Sequence, residues 1–111
     1  MEAALKAIAE PRRRQILRLV TDGEMTAGQI ASHFDVTRPA ISQHLAVLKE
    51  AGLLSERRDG TRRIYRLRPE GLSELRDFID AMWADRLQEL KRAAESEEGV
   101  RRGASRANRR G

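Results

Sequence analysis

The residues with the most chemistry to offer lie in one stretch, TRPAISQHLAVLK, Thr37 to Lys49. Ile41, Leu45 and Leu48 recur at i, i+4 and i+7, the spacing of a single apolar stripe along a helix. Off that stripe the helix opens with Arg38, Pro39, Ala40, Ser42, Gln43 and His44, where a plain surface helix more often shows Glu and Lys. Uncharged groups that both donate and accept suit the edges of bases. Gln pairs bidentately with adenine, Arg with guanine, and Ser or Thr with a phosphate or a base. By helical angle Pro39, Gln43 and Ala46 lie opposite Ile41 and Leu45, so Gln43 is expected to point outward. His44 falls between the two faces, at a groove edge or against a phosphate.

A second concentration of chemistry is RRDGTRRIYRLR, Arg57 to Arg68, with six Arg around a single Asp. Two short runs flank Asp59-Gly60, a dipeptide that favours a type I′ hairpin turn. Arg57, Arg58, Arg62 and Arg63 then sit near the tip of a hairpin directly after the polar-fronted helix. Such a wing suits the backbone or the minor groove of a duplex, where the negative potential attracts Arg.

Other chemistries have less support. The chain has no Cys, which excludes disulfides, thiolate metal sites and thiol redox switching. No Ser-x-x-Lys, Gly-x-Ser-x-Gly or phosphate-binding glycine loop is present. His33 and His44 fall in different helices, without a carboxylate partner by spacing and without the His-x-x-His or i, i+4 partner that zinc would need. The sequence is therefore read as neither an enzyme nor a metal or cofactor binder. No apolar run approaches the ~20 residues of a membrane span, and a cytoplasmic protein is expected.

The elements that must position these residues can be traced along the chain. Residues 2–9 read as a short helix with Leu5 and Ile8 on one side. Pro11 restarts the chain into a second helix with Ile16, Leu17, Leu19 and Val20 as its buried side, closed by Asp22-Gly23. Thr26-Ala27-Gly28-Gln29 fits a capping box, opening a brief helix with Ile30, Ala31 and Phe34. A tight turn at Asp35-Val36 follows, with a connection of three or four residues. Thr37 caps the next helix and Gly52 stops it. Two helices so joined, the second carrying the polar front, form a helix-turn-helix, in which the second helix enters the major groove.

Residues 70–95 read as a long helix with Leu72, Leu75, Ile79, Met82, Trp83, Leu87 and Leu90 at helical intervals. That is more apolar surface than a small winged domain needs. A homodimer through the first and last helices is the simplest outlet, with Leu5, Ile8, Leu75, Ile79, Met82, Trp83, Leu87 and Leu90 at the interface. The expected organisation is a domain over 1–95 and a disordered Arg-rich tail over 96–111. The formal charge is +5 with a pI near 10.6, and five Arg against two Glu place +3 of it in residues 96–111. The fold class is mainly α with a small β-hairpin.

The order of elements, and the phrases AEPRRRQIL, ISQHLAVLKEAGLL and RDGTRRIYRL, resemble the ArsR family of bacterial winged helix-turn-helix regulators over about residues 1–90. The resemblance implies a homodimer built from the first and last helices that binds an imperfect palindrome in double-stranded DNA and usually represses. Metal-sensing members typically carry a Cys-x-Cys pair before the recognition helix, or Asp, His and Glu ligands in the last helix. Here the first location reads IASHFDV and the second has no His, so the chain is similar to the metal-independent branch, whose members are often autorepressors. The rival classes are a non-specific nucleic-acid-binding or protein-binding winged-helix module, an RNA binder using its basic tail, and a small-molecule sensor of the MarR kind. The last needs more helix and more apolar lining than this chain has.

Overall fold

The structure is a computed structural model that describes the backbone of residues 1–104 and the side chains of residues 1–97. It divides into two compact units, Met1–Arg76 and the segment from Asp77 onward. The element order is α1 (Glu2–Ile8), α2 (Pro11–Leu19), β1 (Met25–Thr26), α3 (Ala27–Ala31), α4 (Arg38–Glu50), β2 (Leu54–Asp59), β3 (Arg62–Leu67) and α5 (Pro69–Ala104).

Local chemistry marks the starts of α2, α3 and α4. Glu10 caps α2 by accepting from the Arg12 N–H at 3.0 Å, with Pro11 in the first turn, where its missing N–H costs nothing. The capping box of α3 is complete: Gln29 N–H reaches Thr26 Oγ1 at 3.1 Å, and Thr26 N–H reaches Gln29 Oε1 at 2.9 Å. Thr37 caps α4 by accepting from Ala40 N–H at 3.2 Å. At the other end of α4, Gly52 takes φ +80°, its N–H meets Lys49 O, and Leu53 N–H meets Leu48 O. This is the Schellman arrangement, and its apolar clasp is Leu53 against Leu48, both fully buried.

The core of Met1–Arg76 is built from Ile16, Ile30, Ile41, Leu45, Leu48, Leu53 and Leu54, all essentially without solvent contact. In α1 the buried residues are Ala4 and Ala7, which leaves Leu5 and Ile8 half-buried. The stripe of α4 faces this core as the spacing requires. Six residues, 32–37, separate α3 from α4, more than the three or four expected, because α3 ends early in single turns that bond His33 to Ile30 and Phe34 to Ala31. His33 is exposed.

Two β features differ from the sequence reading. The sheet has three antiparallel strands, in the order β1-β3-β2, because Met25 and Thr26 pair with Tyr65 and Ile64. Thr26 thus serves both as a strand residue and as a helix cap. The hairpin turn is also displaced by one residue from Asp59-Gly60. Asp59 pairs with Arg62, so Gly60 and Thr61 form the two-residue loop. Gly60 has φ +68° and Thr61 stays out of the positive-φ region, the pattern of a type II′ turn and not the expected type I′.

The last helix runs past the expected boundary at 95 to Ala104. Ala93, Ala94, Glu95 and Glu97 are strong helix formers with no proline after them, so the loss of apolar residues there removes packing partners without ending the helix. Residues 105–111 of the expected tail lie outside the described residues. Among the described residues no helix is long and apolar enough to cross a membrane.

Candidate nucleic-acid interface

The start of α4 and the tip of the β2–β3 hairpin meet across a groove of about 440 Å³. Arg38 and Ser42 line it from α4, Thr61, Arg62 and Arg63 from the hairpin, and Thr26, Ala27 and Gly28 from the start of α3. Three guanidiniums and the three hydroxyl side chains of Thr26, Ser42 and Thr61 border this groove, with no carboxylate in its lining. That composition suits a phosphate-bearing backbone. Pro39 and Gln43 are exposed on the same helix, and Ala40 is half-buried beneath them.

The strand register sorts the wing arginines onto two faces. Residues paired directly across the hairpin share a face, so Leu54, Glu56, Arg58, Arg63, Tyr65 and Leu67 lie on one side. Ser55, Arg57, Asp59, Arg62, Ile64 and Arg66 lie on the other. Arg57 is ion-paired with Glu24 and does not line the groove, and Arg58 does not line it either. Arg62 rests on Asp59 at 3.2 Å. Four arginines that the sequence treats alike are therefore in four different situations, with Arg63 in the groove and 3.6 Å from Glu56.

Glu56 ties the wing to the far end of α4. Its carboxylate accepts from Lys49 Nζ at 2.9 Å and from the Tyr65 hydroxyl at 2.9 Å, and Arg63 Nε lies 3.6 Å away. The Lys49 bond, seconded by the Tyr65 hydroxyl and opposed by burial, holds the carboxyl below its ordinary value. Burial and then the facing Glu56 carboxylate push the Tyr65 phenol up. Sequence reasoning missed this cluster. Lys49 and Glu56 lie on opposite sides of a helix stop, so no single periodicity connects them.

His44 departs from its expected place at a groove edge. Its Nδ1 lies 3.3 Å from an Arg13 Nη1 and its Nε2 lies 3.7 Å from Glu10 Oε2, so it faces α2. A carboxylate partner thus exists, although it comes from a distant part of the chain. Burial pushes the Glu10 carboxyl up, but the Arg12 N–H it caps and the adjacent imidazole act the other way, leaving it below its ordinary value. Among the described residues no group of three or more His, Asp or Glu is placed to hold a metal ion.

The third helix, the polar-fronted fourth and the antiparallel wing define a winged helix-turn-helix protein. Residues 10–56 match the model of the bacterial regulatory protein family arsR. The chain is 41% identical over 96 residues to the HTH-type transcriptional regulator Rv2034 of Mycobacterium tuberculosis, spanning 86% of this chain and 90% of the relative. It is 45% identical over 82 residues to the transcriptional repressor SdpR of Bacillus subtilis, spanning 74% and 88%. Its backbone matches the homodimeric winged helix-turn-helix DNA-binding domain Mb0332 of Mycobacterium bovis, a possible ArsR-family regulator, with a TM-score of 0.61 at 33% identity over 76% of this chain and 78% of that one. The chain belongs to the ArsR family of transcriptional regulators, which are DNA-binding winged helix-turn-helix proteins and not enzymes.

Proposed function

We propose that the protein is a cytoplasmic, homodimeric repressor that binds a two-fold symmetric operator, in the manner of an autorepressor and without need of a metal. The observation that carries this reading is the exposed, uncharged front of α4 beside the groove where Arg38 meets Arg62 and Arg63. Gln43 and Ser42 read base edges, with Arg38 beside them. Thr37, Pro39 and Ala40 form the close-fitting start of the helix. Arg58, Arg62 and Arg63 hold the backbone, and Arg57 contributes only if it leaves Glu24. His44 is withdrawn from the set of direct contacts because it faces α2.

Dimerisation is assigned to the apolar residues that the single chain leaves open. Met82, Trp83, Leu87 and Leu90 are exposed along α5, and Leu5, Ile8 and Ile79 are half-buried. Exposed Phe78 joins them. Leu75 is removed from the proposed interface because it is buried at 5% exposure within the chain. The homodimeric Mycobacterium bovis relative supports this assembly, and the repressor of Bacillus subtilis supports the direction of regulation. The absence of Cys from the chain and of His from α5 supports metal independence.

The test is a titration of one operator duplex against random duplex over a range of salt. The reading predicts a preference of at least ~10³ for the operator. A tail-driven or non-specific binder would bind both alike and lose affinity for both equally as salt rises.

A further inference from the structure

Three carbonyls at the end of α1 and one imidazole on α4 converge on two arginines that the proposed function leaves unused. Arg13 donates from Nε to Ala7 O at 2.7 Å and from Nη2 to Lys6 O at 3.1 Å. Arg14 donates from Nη1 to Ile8 O at 2.7 Å. The last carbonyls of a helix lack the i+4 partners of its interior, and although Lys6 O also accepts from the Ala9 N–H at 3.2 Å, these side-chain bonds fasten the short α1 to α2. The remaining arm of Arg13, Nη1, lies 3.3 Å from His44 Nδ1. A guanidinium only donates and keeps its protons, so Nδ1 must be the acceptor. The imidazole hydrogen is thereby fixed on Nε2, which faces Glu10 Oε2 at 3.7 Å.

We infer that Arg13 is a positioning residue that fixes the rotation of the recognition helix by bonding α1 and His44 at once. The inference rests on the proposed role of α4 in reading bases. Ile41, Leu45 and Leu48 hold α4 to the core through contacts without direction, which allow small rotations about the helix axis. A hydrogen bond is directional, and the one from Arg13 grips the residue next to Gln43. A few degrees of rotation would move the Gln43 amide off a bidentate pair. One planar group with donors pointing three ways suits this task, whereas a lysine at position 13 would offer a single point of charge.

The test compares operator and random-duplex affinities for the full chain, with thermal unfolding followed for every variant. Arg13→Gln and His44→Leu are each expected to lower the operator-to-random ratio about tenfold, and the double variant by the same tenfold and no further. His44→Asn, whose amide oxygen offers an acceptor near the place of Nδ1, is expected to keep the ratio within about threefold of the original. An unchanged ratio in His44→Leu would mean that Arg13 only fastens α1. Losses that multiply in the double variant would mean that His44 touches DNA itself, and either result overturns the inference. If Arg13→Gln fails to fold, the contrast between His44→Leu and His44→Asn still decides, because both leave the α1 carbonyls bonded. If the unaltered protein shows no operator preference, the proposed function fails and this inference falls with it.

Discussion

Ile41, Leu45 and Leu48 along α4 are at most 1% exposed, whereas Met82, Trp83, Leu87 and Leu90 along α5 are between 49% and 57% exposed. Both sets follow helical spacing, so the pattern alone says only that each helix has one apolar face. What covers that face is decided by the rest of the chain. Around α4 the other elements of Met1–Arg76 close over the stripe and leave the polar front outside. Along α5 the stripe begins in the core at Leu75 and then stays open for the four large residues that follow Ile79. One helix is thus finished within the protomer, and the other is proposed to be finished by a second copy.

The contrast can be broken most forcefully at its buried end. Leu45→Ala should cost ~2–5 kcal/mol of folding stability, read by denaturant unfolding, since it empties a fully enclosed site. At the open end, Trp83→Ala should weaken self-association by ~2 kcal/mol or more in sedimentation equilibrium. It should also leave the folded content of the dilute protomer within ~0.5 kcal/mol. If Trp83→Ala unfolds the isolated protomer instead, the two stripes are alike and the comparison fails.

On the polar side of α4, Gln43→Ala should lower discrimination at one base position by ~1–3 kcal/mol, measured by competition among single-base operator variants. Arg62→Ala or Arg63→Ala should weaken all sequences similarly and reduce the salt slope by about 1. A sequence-selective loss at the wing would point to minor-groove reading in its place.

The smallest expected effect concerns pH. The Glu56 carboxyl is lowered in the fold by Lys49, so its contribution to stability is present above the ordinary carboxylate range, ~4.3, and is lost as pH falls through and below it. The Tyr65 phenol is raised, so its contribution is present below ~10 and is lost as pH rises beyond that value. Unfolding of the original protein and of Glu56→Gln should therefore differ at pH 7 and converge in acid.

The parts legible in the sequence were those with local causes. Thr26 with Gln29, Thr37, and Gly52 each act within a few residues, and all four behave in the structure as their types require. The parts that were not legible depend on distant or very short pairings. Two residues of β1 are too few to show a period of two, and their partners lie about forty residues later. The turn at Gly60-Thr61 differs from Asp59-Gly60 by one residue, because a glycine at the first loop position satisfies a type II′ turn as readily as one at the second satisfies type I′. His44 was misplaced because its neighbour Arg13 lies 31 residues earlier, beyond any spacing rule. Leu75 and Leu87 are the same residue type within one apolar pattern, and only the folded chain separates the buried one from the exposed one.

Helix α4 is proposed to read sequence as one of a symmetric pair. That role is tested most directly by selecting bound sequences from a random duplex pool with the purified protein at near-physiological salt, with and without zinc. The expected result is an enriched two-fold symmetric motif, indifferent to zinc, with half-sites about one helical turn, ~34–36 Å, apart. A pool without enrichment, or a motif without symmetry, would contradict it.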